Sequence, residues 1–434
     1  MKVKNWFKLA NALMLASLST QISLAQSITV SQPTNSSTPH RSINLDLSSS
    51  VATIAAPKQT ATSTVIIHTG NTTQTVTAGQ LLTPAQMVAV MQILHNGAQS
   101  LILNANGTAA GGSMNINSYV AQNLSSLTIP SGVTVYDKAS ILNVTGNLTN
   151  AGTLLAIAQT PTILTSTITA ANIFNQPGAI INAIQSTSAG LNLNLIATNN
   201  IVNAGTINSS GQISLSAGGS ITNALSAAST AGAVIQAVGN LNLNSANIIN
   251  AGILASTNGN VNIATQLVQT VMQNITIDSR NGSIHALLGN INVGNAISNA
   301  NINIVGGDWL SRELNLNAGS GSINAELGQL SGVLNSISGA EHFMADTPTL
   351  YLGNNTINGD PTFASTGDII INGVLVPTEA LAVIAGGNIT STFGSAITPL
   401  GTFPVTLIAG ADITSGGLPG TQTVSNASTT VGSV

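Results

Sequence analysis

The feature that most constrains this chain is a short phrase of alternating asparagine and aliphatic residues that keeps returning. In its clearest copy, residues 239–263, the sequence reads GNLNLNSANIINAGILASTNGNVNI. Alternation of period two is the pattern of a β-strand with one face buried. Each run is too short to build a core alone, so neighbouring copies must supply one another's core, which is the logic of a solenoid.

The phrase has two halves. One is N-φ-x-N-x-G-x-φ, with φ aliphatic, found as NLTNAGTL from Asn147, NIFNQPGAI from Asn172, NIVNAGTI from Asn200 and NIINAGIL from Asn247. The other is G-polar-φ-x-φ, found as GQISL from Gly211, GNLNL from Gly239, GNVNI from Gly259, GNINV from Gly289 and GDIII from Gly367. Copies recur every 20 to 28 residues or so, a period suited to one coil per repeat and too short for a propeller blade. The chain is therefore expected to be all-β, a right-handed parallel β-helix whose coils stack about 4.8 Å apart, with the hand taken from the usual chirality of parallel crossovers. Roughly a dozen coils would make a rod near 60 Å long. Leu241 and Ile249 read as inward-facing. Asn150, Asn203 and Asn250 hold the same place in three repeats and read as structural turn residues, able to form an amide ladder if stacked in register.

Around this solenoid the sequence divides into further segments. Residues 1–25 have the three parts of a secretory signal, with Lys2, Lys4 and Lys8 before an apolar centre and Ser23 and Ala25 before a cut. Export to the medium or the cell surface, with cleavage near Ala25, is the expectation. Residues 26–63 are rich in Ser, Thr and Pro and read as a flexible leader. Residues 64–100 read as a cap, with short strands at 64–68 and 73–76 around Gly70 and Asn71, then a helix over 84–94 opened by Thr83 and Pro84. Such a helix would cover the open edge that ends a stack of strands. The β-helix proper is assigned to 101–415, and the Gly, Ser and Thr rich stretch 416–434 reads as a flexible tail.

Composition narrows function. Charged residues are only 5% of the 434, where about 25% is ordinary, and aromatics are 3%. Without Lys2, Lys4 and Lys8 the chain carries five basic against twelve acidic side chains, so nucleic-acid binding is disfavoured. Mean hydropathy is +0.36, yet past the signal no apolar run reaches the roughly 18 residues of a membrane helix. There is no cysteine. His40, His68, His95, His285 and His342 form no i, i+4 pair, and the HExxH, GxSxG and phosphate-loop patterns are missing, so no catalytic residue, metal ligand or cofactor is assigned.

One region gathers charge: Asp278, Arg280, His285, Asp308, Trp309, Arg312, Glu313, Glu326, Glu341, His342 and Asp346. Of these, Asp278, Arg280, Asp308, Trp309, Arg312, Glu313 and Glu326 are the candidate glycan contacts, with Trp309 a possible stacking ring. Paired carboxylates could instead act as acid and base on a glycosidic bond. The plainer reading is a loop solubilised by charge, with surface pairs Arg280–Asp278 or Arg312–Glu313.

At Asn150, Asn203 and Asn250, and in the GNLNL, GNVNI and GNINV runs, the sequence resembles the filamentous-haemagglutinin type of bacterial large exoproteins. That resemblance implies a right-handed parallel β-helix used in adhesion. The NPNGI and NPNL motifs of that family's secretion domain do not occur between Gln26 and Pro130. The expected function is an exported bacterial surface or matrix protein that adheres to glycans or matrix components through many weak polar contacts. A β-helix lyase or hydrolase working from the 278–346 cluster and a purely structural rod are the alternatives.

Overall fold

The computed structural model describes residues 126–413, apart from breaks at 130, 132, 138–139, 159–163, 185–189, 225–232, 266, 269–270 and 295–299. Outside that range it gives only the backbone of certain strands. The signal segment and the helix expected over 84–94 lie outside the described residues. The strands expected at 64–68 and 73–76 are present as Ala61–Thr69 and Thr72–Thr77, paired antiparallel. Within the stretch assigned to the tail, Ser428–Ser433 pairs antiparallel with Pro404–Ala409.

The described chain is a parallel β-solenoid of about eleven turns. Each turn visits three faces in the same order. One turn uses Asn147–Asn150 on face A, Thr153–Ile157 on face B and Thr165–Ala170 on face C, and the next begins at Asn172–Asn175 on face A again. Each strand bonds in parallel to its counterparts in the turns before and after. From Asp308–Asn317 onward, three successive ten- or nine-residue strands run continuously from face B onto face C.

The alternation read from the sequence becomes columns running along the rod. On face A one inward column is Leu148, Ile173, Ile201, Ile221, Ile248, Ile277, Ile304, Ala325, Phe343, Phe363 and Val383, each in register with the next. Nearly all of these are fully buried. A buried Ile or Leu contributes about 1.5–3 kcal/mol, so the stack is held by its inner columns. Leu241 is in the core as expected, but Ile249 is not. It is 47% exposed, and Ile248 takes the inward place. The reason is parity, because Asn250 must point inward, which sends the residue before it to the solvent.

Asn150, Asn203 and Asn250 stand in one buried file with Asn175 and Asn223 at the corner between faces A and B. Their amides are linked end to end: Asn150 Nδ2 donates to Asn175 Oδ1 (2.8 Å), Asn175 to Asn203 (2.7 Å), Asn203 to Asn223 (2.8 Å) and Asn223 to Asn250 (2.9 Å). Asn250 Nδ2 ends the file on Ser279 Oγ (3.0 Å). The remaining capacity is also used. Asn203 Oδ1 accepts the Gly205 N–H, and its Nδ2 donates to Val234 O (3.1 Å) in the coil above. The glycine of NAG is needed because a Cβ at Gly205 would collide with the carbonyl of Ala179 in the turn before.

Candidate functional site

The charged stretch 278–346 spans parts of several turns, and the winding distributes its residues rather than gathering them. Asp278 and Arg280 do meet. Arg280 Nε and Nη2 donate to the two carboxylate oxygens at 3.0 and 2.6 Å, the one ion pair among the described residues. The guanidinium holds the Asp278 carboxyl below its ordinary value, and the carboxylate raises Arg280. Arg312 is exposed, and neighbouring Glu313 accepts a bond from Asn290 Nδ2 (2.9 Å) instead of pairing with it.

The carboxylates considered as an acid–base pair go to different places. Asp308 is exposed on face B, beside Ser283 of one turn and Gln329 of the next. Glu326 is on face A between Val305 and Met344, where partial burial raises its carboxyl. Glu341 points into the interior, and Asp346 is exposed and accepts from Thr366 Oγ1 (2.6 Å). Trp309 is also inward, 1% exposed, in the face B core column between Ile284 and Leu330, with its Nε1 donating to Gly306 O (3.1 Å). It cannot offer its ring to a ligand. The run Asp308-Trp309-Leu310 copies the in-out alternation of Ser283-Ile284-His285 one turn earlier, and parity buries the middle residue of both.

Face B carries a lateral groove of about 470 Å³ at these turns. A second hollow of about 450 Å³ lies toward the corner with face A, and Asp308 borders both. Within the groove is a notch. Strand Asp308–Asn317 has a bulge in which Ser311 and Arg312 oppose the single residue Gly332 of the next turn. Gly332 has φ +149°, and a Cβ there would meet the Ser311 carbonyl, so the site requires glycine. Ser331 and Gly332 thus form a low floor, with Leu310 on one side and Tyr351 on the other, 38% and 39% exposed. Asp308, Gln329 and Thr349 edge it. The sequence reading did not single out Tyr351, although its alternation with buried Leu350 and Leu352 marks it as outward.

Face C presents a different surface. Asn194, Ser214, Asn242, Asn262, Asn292, Asn315 and Asn335 form one outward column in register. From Asn242 to Asn335 neighbouring amides bond to each other at 2.8–2.9 Å. Among the described residues no group of acidic, histidine or cysteine side chains is placed to hold a metal ion.

Inside the rod the face C core column has a polar interruption. The face C core column Leu243, Ile263, Val293, Leu316 continues as Ser336 and Asn355 before returning to Leu375. Glu341 meets them from face A, and all three are buried, as is Ser338. Ser336 Oγ lies 2.5 Å from Glu341 Oε2 and 2.7 Å from Asn355 Oδ1. Burial pushes the Glu341 carboxyl up to about 7, against the opposing effect of the Ser336 and Ser338 hydroxyls.

Comparison of the chain with protein-family models, curated proteins and solved structures gives no match.

Proposed function

We propose that this chain is an exported bacterial β-solenoid, wound right-handed, that works at the cell surface or in the matrix by adhesion and not by catalysis. What carries the reading is the outward surface. Successive turns repeat uncharged polar side chains in register, as in the face C column from Asn194 to Asn335. Contacts that repeat from turn to turn are individually weak and become effective on a long partner through avidity. Glycans and other extended surface polymers fit such a rod better than a small ligand does. The burial of Glu341 in the interior, where it reaches no bond of a surface polymer, also favours binding over acid–base cleavage by that carboxyl.

The test is an array of polysaccharides and cell-surface glycans scored for both retention and cleavage. Retention without cleavage is expected. Cleavage products would replace this reading with a carbohydrate-active enzyme built on Asp308 and its groove, and no retention on any polymer would leave a purely structural rod.

A further inference from the structure

The face B groove carries a more specific assignment, which rests on the adhesion reading. We propose that the notch between Leu310 and Tyr351 is a subsite for one ring of a neutral, hydroxyl-rich polysaccharide lying along face B. Four features of the site converge on this ligand.

The first is shape and polarity. The floor at Ser331 and Gly332 is low because Gly332 has no side chain, while the Leu310 and Tyr351 walls are apolar and the rim is polar. A pyranose ring matches this, with C–H faces that pack on an aromatic ring and hydroxyls around its edge. The second is donor and acceptor chemistry. Asp308 can accept from two adjacent hydroxyls, Gln329 both donates and accepts, and Ser331 and Thr349 add hydroxyl groups.

The third is charge. The groove is lined by the Asp308 carboxylate, by the His285 imidazole and by no Lys or Arg, and Arg280 in the adjoining hollow is held bidentate by Asp278. A uronate or sulfated polymer would meet the Asp308 carboxylate with no Lys or unpaired Arg to offset it, so the ligand is neutral. The fourth is reach. The groove crosses several turns, and Asp308 borders both it and the second hollow, an extent that suits a chain rather than a single sugar. Added strands are not an alternative, because the backbone groups of these face B strands are paired with the turns above and below, so recognition falls to side chains.

The experiment measures retention of the full chain and its variants on insoluble neutral β-glucan and mannan, on polygalacturonate and on chitosan. Ser331→Trp fills the notch from its exposed floor, and Tyr351→Ala removes a wall. Glu379→Gln, an exposed turn substitution outside the groove, is the control. Thermal midpoints establish that each variant is folded.

Retention is expected on at least one neutral polymer, falling at least tenfold in Ser331→Trp and in Tyr351→Ala and unchanged in Glu379→Gln. Neutral-polymer binding that survives both notch variants would overturn this subsite while leaving adhesion intact. Retention on polygalacturonate or chitosan in place of the neutral polymers would overturn the ligand class. Retention on none would remove both the subsite and the adhesion reading beneath it.

Discussion

Glu341 offers the sharpest physical test of the interior. The Ser336 hydroxyl has one proton and two acceptor oxygens within reach, Glu341 Oε2 and Asn355 Oδ1. The Asn355 amide is pinned with its Nδ2 donating to Leu334 O (3.3 Å) and Gly353 O (3.1 Å), which leaves its Oδ1 facing Ser336. A protonated Glu341 resolves the conflict, since its own O–H can donate to Ser336 Oγ and release the serine proton to Asn355. No cation compensates an ionised form. The neighbours from face C are Ser336, Ser338 and Asn355, the register partner on face A is Ile323, and Glu341 Oε1 has no partner.

The fold therefore holds the carboxyl neutral, from an ordinary 4.5 up to about 7. A carboxyl raised in the folded state stabilises fully below its unfolded value, and that contribution is lost as pH rises from 4.5 through about 7. At 1.36 kcal/mol per unit the difference is about 3 kcal/mol, or roughly a hundredfold in a local opening equilibrium. A solenoid opens by neighbouring turns, so the assay is amide hydrogen exchange over residues 334–345, corrected for intrinsic rates, from pH 5 to pH 8. Wild type is expected to lose most of that protection across the range. Glu341→Gln, which cannot ionise, should stay level and be the better protected of the two at pH 8. Parallel curves for the two proteins, or wild-type protection that rises with pH, would refute the argument.

Three further outcomes follow from the same geometry. Ile248→Asp should cost several kcal/mol and loosen adjoining turns, while Ile249→Asp next to it should shift the thermal midpoint hardly at all, because the first side chain is buried and the second is 47% exposed. Asn203→Ala should cost at least about 2 kcal/mol in chemical denaturation by orphaning Asn223 Oδ1 and the Gly205 N–H and by breaking the file at Asn175, whose Nδ2 keeps only the Ala179 and Thr206 carbonyls, and Asn262→Ala on the solvent side of face C should stay within about 0.5 kcal/mol. His342 is half-buried with an unpartnered Nε2, and desolvation lowers its basicity. Its stabilising effect is present above the ordinary histidine value and lost as pH falls through the lower folded one. His342→Phe should therefore flatten the acid limb of the stability profile and leave the Glu341 limb in place.

The solenoid was legible in the sequence because its physics is local and repeated. An alternating strand of four residues and an Asn-Gly corner recur often enough that the turn length follows from their spacing. What was harder to read was the phase of each strand, and phase decides which side chains a partner can touch. Ile249 and Trp309 were both assigned by residue type, one as a core aliphatic and the other as an exposed stacking ring, and the structure exchanges their environments. The charged stretch misled for a related reason. Residues close in sequence are sent to different faces within one turn, so Asp308 lies on face B and Glu326 on face A even though both belong to the same patch of sequence.

A usable phase marker was nevertheless present. The second asparagine of each N-φ-x-N phrase is buried, because only there can its amide bond to the turns above and below while accepting the glycine N–H of its own corner. A buried Asn250 makes Ile248 inward and Ile249 outward without reference to hydrophobicity. In the later turns the asparagine file ends at Ser279, but the beat of buried aliphatic residues continues and carries the same information. Leu350 and Leu352 point in, so Tyr351 points out. Phase read from the residue with the strictest hydrogen-bonding demand thus moves attention from Trp309 to Tyr351, and from a scattered set of charges to the uncharged notch beside it.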